Sequence, residues 1–198
     1  TNPITSSPWT SSDINSLQIG VWGIDAQGYQ TRVTQMYAEV FFAGTQLYSG
    51  AKIGVAQSFV GDGKVIRAAV VNLRKYGAPT GNITAKIYAH SGTYGASSIP
   101  TGAALATSEV VDSATLTTTN ALYYFNFINT NAITLTNATN YTFSIEYGGG
   151  SSTAFVVVDH DDISPSHGGN LATLTSTTWT ADNTKDAIFY VYTGGVAT

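Results

Sequence analysis

Cysteine is absent from all 198 residues, so no disulfide framework, zinc–thiolate site or cysteine nucleophile exists in this chain. That absence leaves the compartment open. Charge is scarce as well. Asp, Glu, Lys and Arg make up 10% of the residues, where ~25% is ordinary, which excludes a coiled coil or a helical bundle built on Glu, Lys and Leu. Eight basic residues and a pI near 5.1 provide no electrostatic footprint for nucleic acid. No apolar run approaches the ~18 residues of a membrane span; the stretch 36–43 is interrupted by Glu39. An initiator methionine and a signal-peptide pattern are both missing at Thr1, which reads as a processed product or a piece of a longer gene product.

Thr, Ser, Asn and Gly stand where the charge would be. Hydrophobic residues reach 43% and aromatics 12%, with a net charge of -4, so the chain can build a core and is not of the disordered class. Its length suits one large domain, or one domain with an appendage.

The hydrophobic period is two almost throughout. Residues 65–74 form a β-branched run between Gly63 and Gly77. In 82–89, Ile83, Ala85 and Ile87 face one way and Thr84, Lys86 and Tyr88 the other. In 141–147, Tyr141, Phe143, Ile145 and Tyr147 oppose Thr142, Ser144 and Glu146. Residues 123–127, 155–158 and 187–192 continue the theme. Such alternation gives each strand one core face and one water face. Turn chemistry separates the strands at 61–63, 78–81, 148–150 and 168–170. The pattern predicts an all-β protein: an antiparallel β-sandwich, jelly-roll-like, over residues 50–195, with no helix longer than a turn. Residues 1–43 read differently, as a lone β-hairpin or arm with strands over 13–23 and 32–42. A lone hairpin is marginal in water, so this one is expected to pack on the body or to complete a sheet in another chain.

Several stretches carry a resemblance. Residues 56–59, 71–75, 77–84 and 99–102 are followed by 133–136, 140–143, 167–170, Trp179 and 186–192. In this order and spacing they resemble the choice-of-anchor or carbohydrate-module-like β-sandwich domains found in secreted and phage structural proteins. Trp9-Thr10, Asp13-Ile14, 17–21 and 34–40 resemble the closing strands of a lectin-like jelly roll of phage tail proteins, although the earlier strands of that roll are missing here. The resemblance implies an extracellular or virion setting and a hairpin that finishes a sheet between subunits.

Candidate chemistry is sparse. Asp159, Asp161 and Asp162 put three carboxylates within four residues after an apolar strand, a set able to hold calcium, or else a solvated loop capping the strand. Asp62, between two glycines, reads as a turn. His160 and His167 lie seven apart outside any helix, so they are expected to tie a loop to itself rather than hold a metal; His90 has no partner in the sequence. Glu39, Glu109 and Glu146 are the only glutamates. Glu146 sits on a polar strand face, and no second carboxylate can be assigned beside it for glycoside hydrolysis. No nucleophile elbow or phosphate loop occurs, and no enzyme is expected. Three Asn-x-Thr triplets, at 82, 137 and 140, arise easily in a Thr- and Asn-rich chain.

Twelve tyrosines and three tryptophans are the more informative class. Tyr88, Tyr94, Tyr124 and Trp179 fall at outward or loop positions, where flat rings stack on sugars, anchor subunit contacts or seal the edges of a sandwich. Low charge weakly opposes association, and Thr- and aromatic-rich edges pair readily. The sequence therefore predicts a non-enzymatic structural subunit, a tail, decoration or filament protein of an extracellular or virion assembly. Its partners would be identical subunits, joined through sandwich contacts and the strand arm. The alternative is a secreted carbohydrate-binding module that binds surface glycans.

Overall fold

A computed structural model describes residues 43–162, 165 and 167–194. The hairpin expected over 1–43 lies outside the described residues except for Ala43. The rest is all-β, two antiparallel sheets packed face to face as a sandwich. Sheet I contains β1 (Ala43–Leu47), β3 (Val65–Tyr76), β7 (Ala121–Asn126), β9 (Phe155–Asp161), β12 (Asp186–Ala187) and β13 (Phe189–Gly194). Sheet II contains β2 (Lys52–Val60), β4 (Asn82–Ser91), β5 (Ile99–Thr107), β6 (Val111–Asp112), β8 (Asn140–Glu146), β10 (Leu171–Thr175) and β11 (Thr178–Asp182). The chain crosses repeatedly from one sheet to the other, the jelly-roll-like habit. Strand β1 belongs to the sandwich and pairs with β9, upstream of residue 50 where the sequence placed the start of the body.

The inward residues are those the alternation selects. Ile83, Ala85 and Ile87 of β4 meet Phe143 and Ile145 of β8, and Val156 and Val158 of β9 face them from sheet I, all buried. Phe143 stacks on Phe189 across the gap between the sheets, with ring centroids 4.8 Å apart. One polar device bridges the same gap. The Gln57 amide on β2 donates to Asp186 Oδ1 at 2.8 Å, and its carbonyl accepts from the Ala187 N–H at 2.9 Å. Buried amide and carboxylate are thus satisfied by each other and by backbone, as burial requires.

The long strand β3 organises sheet I. Its residues Ala68–Leu73 pair with β7 along one edge. Its other edge is shared end to end: Val65–Val71 pair with β13, and Leu73–Tyr76 pair with β9. The handover falls at Asn72, whose N–H donates to Ile188 O at 3.0 Å. In sheet II the edge strands β5 and β11 also approach each other, and β5 approaches β2 and β8. A flat sheet in the order β11-β10-β2-β8-β4-β5 would hold its edges about 24 Å apart at ~4.8 Å per strand, so this sheet curls. Outward-facing Ala56, Ser58, Ser144 and Ala172 are small and fully buried, which places the approach over the outer face. Strand β5 contributes an unpaired excursion at 102–105, between Thr101 (opposite Ala89) and Ala106 (opposite Ile87).

Candidate functional site

The outer face of sheet I carries a tyrosine surface. Val70 of β3 lies opposite Tyr124 of β7 on one side and Tyr190 of β13 on the other, and Ala68 lies opposite Tyr192. Directly paired residues share a face. Tyr124, Tyr190 and Tyr192 therefore stand together with Leu122, which pairs with Asn72. Their exposures are 59%, 53%, 49% and 49%, whereas Val70 beneath them is 1% exposed. The rings of Tyr124 and Tyr192 lie 6.3 Å apart at 24°, each partly screening the other's face. Large apolar and aromatic side chains left out of a core in one place mark a contact surface. Tyr124 was legible in the sequence. Tyr190, Tyr192 and Leu122 were not singled out, although the alternation of Phe189 and Val191 against Tyr190 and Tyr192 carries the signal.

The outer face of sheet II carries a different arrangement, and it brings Tyr88 and Trp179 together around Glu146. Register aligns Trp179, Leu174, Gly54, Glu146 and Thr84 in one row across five strands. A Cβ placed on Gly54 would lie 3.1 Å from Leu174 Cβ, 3.2 Å from Trp179 Cη2 and 3.3 Å from Glu146 Cγ. The indole therefore reaches across Leu174 and lies along the sheet with its far edge over Gly54. Only a residue without a side chain leaves that space. At this edge Glu146 Oε2 takes Lys86 Nζ at 2.5 Å, and Oε1 accepts from Tyr88 Oη at 2.7 Å and Ser144 Oγ at 2.9 Å. Burial, followed by the bond to Glu146 and its charge, pushes the Tyr88 phenol well above its ordinary pKa, so it stays a donor.

The aspartates behave otherwise. The sequence offered Asp159, Asp161 and Asp162 as a calcium set or as a loop capping the strand; strand β9 itself runs through Asp161. Alternation puts Asp159 and Asp161 on the face away from His160, and Asp162 follows the end of the strand. Among the described residues, no three His, Asp or Glu side chains gather as a cation cage. Asp159 is fully buried on the outer side of sheet I beneath Gly44, and Arg74 Nε lies 3.3 Å from its Oδ1. Burial pushes its carboxyl up to about 6, the Arg74 charge pulling the other way.

The histidines do structural work. His167 Nδ1 accepts from the Gly169 N–H at 3.1 Å, the backbone N–H of His167 donates to Asp186 Oδ2 at 2.8 Å, and its ring sits edge-on to Phe189. Asn170 is fixed at both ends of its amide, by Ser98 and by Leu171 O. Tyr94 lies beside the His90 ring and against Gly168, a loop seal distant in role from Trp179. Burial first, and then the Asp186 charge, raise its phenol. His160 lines a polar cleft of about 610 Å³ with Lys52, Asp162, Lys185 and Gln46. Burial lowers its pKa, and its Nδ1 has no hydrogen-bond partner among the described residues.

No helix among the described residues is long and apolar enough to cross a membrane. No family model, curated protein or solved structure matches the chain.

Proposed function

We propose that the chain is a non-enzymatic structural subunit of an extracellular or virion assembly, working by surface contact between identical sandwiches. The observation that carries this reading is the tyrosine surface of sheet I. Three half-exposed tyrosines and Leu122 occupy one face, over a floor of Val70 and Ala68. Tyrosine contributes large contact area at low cost in side-chain entropy and is enriched where subunits meet. Two of its rings screen each other and project side by side, which suits apposition to a second protein face better than a free stacking platform. The surroundings support the same reading: with only 10% charged residues, little repulsion or desolvation cost opposes contact between copies.

The test is the size of the full chain in solution against concentration, by light scattering and sedimentation velocity. Wild type is expected to form dimers or larger species at micromolar concentration. A Tyr124→Ser, Tyr190→Ser, Tyr192→Ser variant is expected to stay monomeric with an unchanged circular dichroism spectrum. A wild-type chain that is monomeric at several hundred micromolar overturns the reading.

A further inference from the structure

The edge of sheet I beside the tyrosine surface points to how two copies join. We infer that the free edge of β7 pairs antiparallel with β7 of a second copy, about a two-fold axis at Tyr123, so that sheet I continues across both molecules. This inference rests on the assembly reading above and names the contact that begins it.

The backbone phase of β7 is the first argument. In an antiparallel pair, alternate residues exchange both hydrogen bonds with the neighbouring strand, and those between them turn their N–H and C=O the other way. Asn72 of β3 spends its N–H on Ile188 O, on the β13 side, so Leu122 opposite it turns its own groups away from β3. Tyr124 and Asn126 follow at the same period. Asn126 agrees with this phase, because its C=O accepts the Glu109 N–H at 2.9 Å, outside the β3 ladder. Among the described residues, no strand meets the edge groups of Leu122 and Tyr124.

The second argument is that this edge is unguarded. Edge strands deter pairing with charge, proline or a bulge. Strand β5 has Pro100 and its excursion at 102–105, and β11 ends at Asp182, which is paired with Lys185. The β13 ladder slips register between Tyr192 and Thr193, and β1 borders the cleft that holds Lys52, Asp162 and Lys185. Residues 116–127, which include β7, contain no charge and no proline, and the register of β7 on β3 runs without a shift.

The third is self-complementarity. Leu122 and Tyr124 flank Tyr123. A two-fold axis there sets Leu122 of each copy opposite Tyr124 of the other. These are the residues whose N–H and C=O face the edge, so both bonds form at each pair. The side chains fit the same arrangement. Leu122 and Tyr124 share the outer face at 49% and 59% exposure, and across the axis each covers the other as an aliphatic–aromatic pair. An unrelated strand finds the same backbone groups, but a second β7 also brings a leucine to each tyrosine and no charge to an uncharged edge.

The experiment uses the full chain and reads size against concentration by sedimentation velocity. Leu122→Pro removes an N–H that the β3 ladder does not use and leaves Tyr124, Tyr190 and Tyr192 in place. It is expected to fold and to stay monomeric where wild type associates. Leu122→Thr keeps that N–H and is expected to associate no more than about tenfold more weakly than wild type. If Leu122→Pro does not fold, amide exchange by NMR on wild type decides: the Leu122 and Tyr124 N–H groups are expected to slow at least about tenfold between dilute and concentrated protein. A folded Leu122→Pro variant that associates as wild type does, while the Tyr124→Ser, Tyr190→Ser, Tyr192→Ser variant is monomeric, overturns the edge pairing and leaves the face contact standing. Unchanged exchange at both amides in associated wild type has the same result. Equal loss of association in Leu122→Thr and Leu122→Pro assigns the effect to the side chain and also overturns the edge pairing. A wild type that never associates overturns both readings.

Discussion

The two outer faces of this sandwich use the same class of side chain in opposite postures. On sheet I, Tyr124, Tyr190 and Tyr192 rise from a floor of Val70 and Ala68 and lean on one another. On sheet II, the Trp179 indole reaches past Leu174 into the space above Gly54, and Glu146 closes the far end. The two sheets also treat carboxylates differently. Sheet I seals Asp159 completely beneath Gly44, whereas Asp182 of sheet II is partly exposed and bound by Thr184 and Lys185. The faces differ, then, in what their glycines and alanines permit more than in how many aromatics they hold.

Filling the bed under the indole should break this contrast most severely. Gly54→Val sets a branched side chain against Leu174, Trp179 and Glu146, all within 3.3 Å of the new Cβ. Overpacking of this kind costs about 1–3 kcal/mol. The expected outcome is a urea midpoint lowered accordingly.

The two aspartates sharpen the comparison through pH. Asp159 holds its proton more tightly in the fold than in the unfolded chain, rising from 3.8 to about 6 through burial. Its contribution is therefore complete below about pH 4 and is lost as pH rises through about 6. Asp159→Asn should remove that slope and leave the variant more stable than wild type at pH 7, by an amount on the order of 2 kcal/mol. Chemical denaturation at pH 4, 5, 6 and 7 checks it, and a variant less stable than wild type at pH 7 contradicts it.

Asp182 has the opposite sign. Burial pushes its carboxyl up, but the bonds from Lys185 and Thr184 outweigh burial and hold it down to about 2. Its contribution is present above about pH 4 and is lost as pH falls through about 2. The pair is solvent-screened, so Asp182→Asn should cost less than ~1 kcal/mol at neutral pH and nothing below pH 2. The same denaturation series, extended to acid, measures it.

The smallest expected effect on folding comes from the most exposed groups. Each single Tyr→Ser change at 124, 190 or 192 should alter the unfolding free energy by no more than about 0.5 kcal/mol. Thermal melts at low protein concentration check this, and a larger loss would assign these rings to the fold rather than to a contact surface.

Much of the fold was legible because several strands alternate cleanly. β4 and β8 read directly from Ile83-Ala85-Ile87 and Phe143-Ile145. β2 and β10 were harder, since outward Ala56, Ser58 and Ala172 are as buried as inward residues and the polar half of the pattern disappears. The full length of β9 was hidden for a related reason: polar letters after an apolar run read equally well as a capping loop, while backbone pairing with β1 and β12 extends β9 through Asp161. Tyr88, Glu146 and Trp179 were each visible, but their meeting depends on strand order and register. Neither is written in any one segment.

The shared edge of β3 has a consequence for how the chain is made. Among the described residues, that edge is closed from Val65 to Val71 by β13, which is separated from it by more than a hundred residues. During synthesis β3 can pair with β7 and β9 long before residues 189–194 leave the ribosome, so half of a long, apolar strand waits with its backbone groups unsatisfied. A nascent chain stalled before Asp186 would present that open rung to whatever strand is nearby, including the last strand of a neighbouring copy. Exchange of β12 and β13 between two molecules would satisfy the same hydrogen bonds as the native closure, making this ribbon the natural element to exchange in a swapped dimer.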